Sequence, residues 1–192
     1  WVVSEIGKTL ELKKPVRFYM AGAVDAEVIE ADVAITSLSN CQASMPADKD
    51  RILRQIEDGV GIAAYDERVQ GALRPVLLNL SLYSCVQYRG GDARTPNHML
   101  RLLQQRADPN YSDGAGDSVV FRAVLHGHVE SLKLLIGARA DVDKARTSDG
   151  ATPTYMAAQN GHVESLKLLI GARADVDKAR TSDGATPTYM AA

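Results

Sequence analysis

Residues Gly127 to Ala158 and Gly161 to Ala192 are the same 32 letters, GHVESLKLLIGARADVDKARTSDGATPTYMAA, repeated at a period of 34. Chance does not produce such an identity. It records a tandem duplication and defines the structural unit. A unit this short cannot bury an apolar face by itself, so successive copies must lie against one another. Aromatic residues make up only 5% of the chain. A single compact core usually needs more large rings, whereas stacked small helices built from Ala, Leu and Val do not.

The unit is readable from its own residues. Ser148-Asp149-Gly150 is a turn signal, because Gly accepts positive φ and Asp bonds its own backbone. Thr152-Pro153 starts a helix, with Thr as N-cap and Pro at the first helical position. This first helix runs to about Asn160 and carries the small pair Ala157 and Ala158, which lets a neighbour approach closely. Gly161 breaks it. A second helix, roughly Val163 to Ile170, places Leu166, Leu169 and Ile170 on one face. Beyond Gly171, the Ala174-Asp175-Val176-Asp177 stretch leads into an extended finger.

These features, in this order, resemble the ankyrin repeat. The family's turn, TPLH start, paired alanines, GH break, LL-rich second helix and ADVN finger correspond to Asp149-Gly150, Thr152-Pro153, Ala157-Ala158, Gly161-His162, Leu168-Leu169 and Ala174-Asp175-Val176-Asp177. More degenerate copies lie upstream. Phe121 to His128 aligns with a first helix and its break, with Ser118-Val119 in place of Thr-Pro. Leu100 to Asn110 resembles a second helix and finger, whose partner is a helix around Leu77 to Tyr88. The resemblance predicts a mainly α, ankyrin-type helical-hairpin stack (an α-solenoid) over residues 75–192, divided at about 75–112, 113–146, 147–180 and a partial unit 181–192.

Three departures from the family pattern carry expectations. Thr154-Tyr155 replaces Leu-His, removing one apolar anchor per repeat and leaving the Tyr155 ring to pack between neighbours. Arg106, Arg139 and Arg173 occupy the slot where the family closes its helix with Gly. A left-handed Arg costs about 1–2 kcal/mol, so the expectation is that the helix ends earlier, at Gly137 and Gly171. The period of 34 rather than 33 puts an extra residue in Lys144-Ala-Arg-Thr-Ser, lengthening the finger.

The resemblance implies a protein-binding scaffold rather than an enzyme. A repeat stack offers an extended surface made of fingers and first helices. The expected partner contacts are Lys144, Arg146, Thr147 and Ser148, their counterparts Lys178, Arg180, Thr181 and Ser182, and Tyr155, Met156, Gln159 and Asn160 behind them. Identical copies present the same groups one repeat apart, and the arginines suit an extended acidic-to-polar protein partner.

Residues 1–74 show no repeat. Val2 to Leu12 reads as a helix ended by Pro15, Val16 to Met20 as a strand, and the segments Val24 to Leu38, Lys49 to Glu57 and Tyr65 to Arg74 as helices. Trp1-Val-Val-Ser-Glu5-Ile6 followed by Lys14-Pro-Val-Arg-Phe resembles the late helix and next strand of a TIR domain. That resemblance implies the C-terminal remnant of an α/β TIR-like domain, with Glu5 at the position of the catalytic glutamate of TIR-type NAD hydrolases. The phosphate and ribose contacts of that family lie upstream of this match, so no turnover is expected of the chain itself.

Other patterns carry little chemistry. Lys and Arg total 22 against 24 Asp and Glu, and neither half of the chain is basic, so no nucleic-acid or anionic-membrane partner is indicated. No apolar run is long enough for a membrane span. Two distant cysteines, Cys41 and Cys85, fit a reducing, cytoplasmic interior better than a disulfide framework. Gly7-Lys8-Thr9 lacks the upstream Gly and strand of a phosphate loop. Asp141, Asp143 and Asp149 miss the calcium-loop spacing, with Ala145 and Arg146 where an oxygen ligand and Gly belong. His126 and His128 are too few for a metal set. His128 and His162 instead match the family's backbone-bonding His. No cofactor and no metal are expected. Glu130/Lys133 and Glu164/Lys167 read as solvated helix pairs.

Overall fold

The computed structural model of the chain describes residues 54, 56–58, 61–88 and 95–190. The TIR-like segment, the strand at residues 16–20, the helix at residues 24–38 and Cys41 lie outside the described residues. Among the described residues seven helices follow one another: α1 Ile62–Tyr88, α2 Thr95–Gln104, α3 Val119–Leu125, α4 Val129–Gly137, α5 Pro153–Gln159, α6 Val163–Gly171 and α7 Pro187–Met190. No strand is formed among them beyond one isolated antiparallel bridge between Ser112 and Ser118. No helix among the described residues is long and apolar enough to cross a membrane.

The chain divides into two compact units, residues 1–77 and 78–192. The described part of the first unit is helical. One sequence expectation is corrected here. Separate segments at residues 65–74 and 77–88 were expected, yet α1 runs unbroken through Pro75. Proline removes the hydrogen bond to the carbonyl four residues back. That carbonyl belongs to Gly71, and both Gly71 and Pro75 are exposed, so water satisfies it.

The second unit is a two-layer stack. Helices α3, α5 and α7 lie side by side, each packing on the next, and α2, α4 and α6 do the same behind them. Within each hairpin α3 packs on α4, and α5 on α6. The core between the layers is continuous from Leu82 and Val86 through Met99, Phe121, Leu132, Leu135 and Tyr155 to Leu169.

The first helices begin as the sequence predicts. Thr152, in extended backbone, accepts a hydrogen bond from the Tyr155 amide at 3.1 Å, and Pro153 follows at the first helical position. Ser118 plays the same part upstream, accepting from the Phe121 amide at 3.0 Å. Each cap contributes about 1 kcal/mol. The helices stop at Gln159 and Leu125, and Gly161 and Gly127 follow with positive φ.

The second helices end in a way the sequence reading treated as two alternatives. They do stop at Gly137 and Gly171, yet Arg139 and Arg173 also take left-handed backbone, at φ 61° and 66°. Arg106 does so too, at φ 74°. The reason is a Schellman closure. The Ala140 amide reaches the Leu135 carbonyl at 3.0 Å, and the Arg139 amide reaches the Ile136 carbonyl at 2.9 Å. Ala174 and Arg173 repeat this on Leu169 and Ile170. The closure needs one positive-φ residue, and satisfying two helix-end carbonyls offsets the left-handed cost.

The apolar face of α6 also differs from expectation. Leu169 is buried and Leu166 partly so, but Ile170 is 52% exposed. Its twin Ile136 is partly buried against the core, because α4 is followed by α6.

Candidate functional site

The candidate surface is the finger that joins each second helix to the next first helix. Its base is an Asx turn. Asp141 Oδ1 accepts the Asp143 amide at 2.9 Å, Asp175 Oδ1 accepts that of Asp177 at 2.9 Å, and Asp108 Oδ1 accepts that of Asn110 at 2.8 Å. The second polar residue of a turn then holds the next finger: Asn110 Oδ1 accepts the Asp141 amide at 2.6 Å and Asp143 Oδ1 the Asp175 amide at 2.9 Å. Asn79 Oδ1, from helix α1, holds the first finger through the Asp108 amide at 2.7 Å. A single polar rail thus fixes the register of the stack.

The finger tip is a second turn. The Gly150 amide bonds the Arg146 carbonyl at 2.9 Å, the Arg146 amide bonds the Ala151 carbonyl at 2.9 Å, and Asp149 Oδ1 accepts the Ala151 amide at 3.1 Å. Gly150 sits at φ +75°, and a Cβ there would fall 2.4 Å from Thr181 Oγ1 of the following tip. Glycine is therefore required both by the backbone and by the approach of the next repeat.

Each predicted contact residue can now be placed. Arg146 does not reach into solvent. Its guanidinium makes two hydrogen bonds to Asp149, at 2.9 and 2.6 Å, and lies 5.0 Å from the Phe121 ring centroid in the preceding first helix. Arg180 does the same with Asp183 and lies 4.8 Å from the Tyr155 ring centroid. Each also faces the preceding tip carboxylate at 3.9 Å, Arg146 on Asp117 and Arg180 on Asp149. An Arg over an aromatic face adds about 0.5–2 kcal/mol depending on desolvation. Arg146 and Arg180, expected as partner contacts, are not bare charges. They are engaged within the stack, because the aromatic ring and the turn carboxylate together outcompete water for a planar cation.

The hydrogen bonds from Arg146 hold the Asp149 carboxyl down at about 2, and those from Arg180 do the same for Asp183. Upstream, the pattern opens with Tyr83. Its hydroxyl donates to Asp113 at 2.6 Å and accepts from Arg122 Nε at 2.8 Å, while Arg122 Nη2 pairs with Asp117 at 2.8 Å. Burial, reinforced by the bond to Asp113, pushes the Tyr83 hydroxyl well above the usual phenol range.

Lys144 donates to the Asn110 carbonyl, and Lys178 to the Asp143 carbonyl at 2.8 Å. Thr147 Oγ1 donates to the Ala115 carbonyl at 2.9 Å, and Thr181 Oγ1 to the Asp149 carbonyl at 2.8 Å. Ser148 and Ser182 are exposed at the tips, and Gln159 and Asn160 are exposed at the end of α5. Tyr155 and Met156, expected behind the tips, are buried. They point into the stack because the N-terminal turn of a short helix, wedged between two neighbours, has no free face.

The remaining polar groups have internal roles. His162 Nε2 lies 3.3 Å from the Leu125 carbonyl, and His128 bonds the Val86 backbone, as expected of the backbone-bonding histidine. Burial lowers the proton affinity of His126 and His128. Glu130–Lys133 and Glu164–Lys167 form exposed pairs at 2.6 and 2.8 Å. Asp141 and Asp143 each accept a finger amide on Oδ1, and among the described residues no cluster of three ligating side chains could hold a metal ion. Cys85 is buried in the core.

The family model described as ankyrin repeats (3 copies) matches residues 91–192, more than half of the chain. The chain belongs to the ankyrin-repeat family. No curated protein matches it. Ankyrin repeats are generally protein–protein interaction modules. What the sequence reading missed in this ankyrin stack is the arginine's destination. The signal was present as a fixed offset: Phe121 precedes Arg146, and Tyr155 precedes Arg180, by the same number of residues.

Proposed function

We propose that this ankyrin-repeat chain is a protein-binding scaffold, built of units at about 75–112, 113–146, 147–180 and 181–192. Its partner meets the finger tips Thr147, Ser148, Thr181 and Ser182, with Lys178 beside them and Gln159 and Asn160 at the end of α5. One observation supports this above the rest. Each finger is locked to its neighbour by side-chain-to-backbone bonds and its arginine is already paired, so the exposed tips form a rigid, nearly neutral polar array. Rigid presentation lowers the ordering cost of association. An array of this kind suits an extended polar segment, and it gives no reason to favour a phosphorylated or strongly acidic one.

The test is paired affinity capture with the unaltered protein and with Ser148→Arg plus Ser182→Arg. The helical circular-dichroism signal should be unchanged, and the partner retained by the unaltered protein should be lost. Retention of the same proteins by both forms would overturn the assignment.

A second reading has the repeats recruit targets for an attached TIR-like, NAD-hydrolysing or signalling domain. It rests on the Trp1 to Ile6 motif. NAD consumption by a longer form of the protein, compared with Glu5→Ala, tests it; equal rates refute a catalytic Glu5.

A further inference from the structure

The lysines and arginines of residues 105–190 divide into two sets. Arg122, Arg146 and Arg180 pair with tip carboxylates. Lys133 and Lys167 pair with glutamates one turn earlier in the same helix, and Lys144 and Lys178 donate to backbone carbonyls. The remaining three, Arg106, Arg139 and Arg173, are exposed, and their side chains make no hydrogen bond, ion pair or ring contact among the described residues. The same three are the non-glycine residues with positive φ among the described residues, at 74°, 61° and 66°. Backbone strain and an unused cation therefore fall together, at one place in each unit.

The Schellman closure does not account for the side chain. It needs a positive-φ residue, and glycine supplies one without the left-handed cost. Attraction of a cation to the helix C-terminus is a smaller term than that cost, and it is screened at an exposed position. Nor does the arginine simply follow its surroundings. The three residues before it differ between the first two units, Leu103-Gln104-Gln105 against Ile136-Gly137-Ala138, yet the arginine is common to both. A strained residue with no partner inside the stack points to one outside it.

We propose that Arg106, Arg139 and Arg173 form a cationic row that binds the acidic face of an α-helix on a partner protein. Helices α2, α4 and α6 lie side by side, so their C-terminal ends are roughly 8–10 Å apart. Glutamates at every seventh residue of a helix share one face and are separated by about 10.5 Å of rise. The two spacings match, and each guanidinium can hold a carboxylate through two parallel hydrogen bonds. Asp108, Asp141 and Asp175, two residues beyond each arginine, are exposed as well. They repel a dense polyanion such as nucleic acid, which carries a charge about every 1.7 Å, but leave room for carboxylates spaced one per repeat. The row lies at the ends of the second helices and uses none of the finger-tip groups invoked for the scaffold function. The two ideas therefore fail separately.

The test titrates the full chain into a labelled, alanine-based helical peptide with Glu at every seventh residue, followed by fluorescence anisotropy at low ionic strength. Binding is expected to saturate and to weaken as salt is added. Arg106→Gly, Arg139→Gly and Arg173→Gly combined should weaken it roughly tenfold, as the loss of three exposed charge pairs implies. Because glycine suits the closure, this variant should keep its helical circular-dichroism signal, so the loss is not unfolding. The same peptide with Gln in place of Glu should not bind, which tests the charge match without altering the protein. Ser148→Arg plus Ser182→Arg should leave binding unchanged. Absence of saturable binding overturns the proposal, as does equal binding by the triple variant or of the glutamine peptide. Tighter binding of a single-stranded oligonucleotide than of the glutamate peptide also overturns it, since the row then reads phosphates.

Discussion

Tyr155 and Tyr189 sit in the same local sequence, so truncating each to Ala compares one chemistry in two environments. Tyr155 is 2% exposed, and its ring lies beneath the Arg180 guanidinium at 4.8 Å. Removing a buried aromatic side chain costs about 3–5 kcal/mol from lost transfer energy and the cavity left behind. Losing the cation–aromatic contact adds about 0.5–1 kcal/mol, since Arg180 keeps its pairing with Asp183. Tyr155→Ala is therefore expected to destabilise the stack by about 3.5–6 kcal/mol. Tyr189→Ala, at 75% exposure, is expected to change it by less than about 0.5 kcal/mol. Urea titration followed by helical circular dichroism reads both, from the midpoint at constant slope. Equal losses, or a Tyr155→Ala loss below about 1 kcal/mol, would falsify the placement of Tyr155 between repeats.

Further outcomes follow from single positions. Arg139→Gly and Arg173→Gly should each stabilise the protein by about 1 kcal/mol in a thermal melt, since both arginines hold positive φ in a Schellman closure; a lowered melting temperature contradicts the closure. Gly150→Ala should cost clearly more than Gly184→Ala. Both glycines have positive φ, at 75° and 74°, but only a Cβ at residue 150 meets the Thr181 side chain; equal losses argue against tip-to-tip contact. Acid should weaken the fingers. Asp149 and Asp183 are held at about 2 in the folded protein by Arg146 and Arg180. A depressed folded value means the stabilisation is complete above the unfolded value of about 4 and lost as pH falls from about 4 to 2. Asp149→Asn should flatten that part of a stability-against-pH curve, and an unchanged slope counts against the pairing.

Much of this fold is legible in the chain because its signals are local. Thr152-Pro153, the Gly161 break and the spacing of Leu166 and Leu169 each act within one turn or one helix, and a duplicated unit leaves stacking as the way to bury them. Ser118 replaces Thr152 upstream without loss, since either hydroxyl caps. What was less legible depends on neighbours. Arg146 and Arg180 look like solvent-facing charges until the ring of the preceding repeat is placed beside them. Ile170 reads as core in sequence and is exposed in space, because burial belongs to the helix that follows and not to the residue. Arg139 and Arg173 show a local cost overruled by two helix-end hydrogen bonds. Continuity of α1 through Pro75 turned on whether the freed carbonyl meets water, which sequence alone does not say.

Helices α4 and α6 have one sequence, so peptides cut from them have one mass. Hydrogen–deuterium exchange followed by mass spectrometry on those shared peptides tests the stacking account most directly. Stacking predicts two isotope envelopes of equal area at intermediate times, a slow one from α4, enclosed between neighbours, and a fast one from α6. A single envelope at every time point would mean that the twins share one environment, and the stacked arrangement would be wrong.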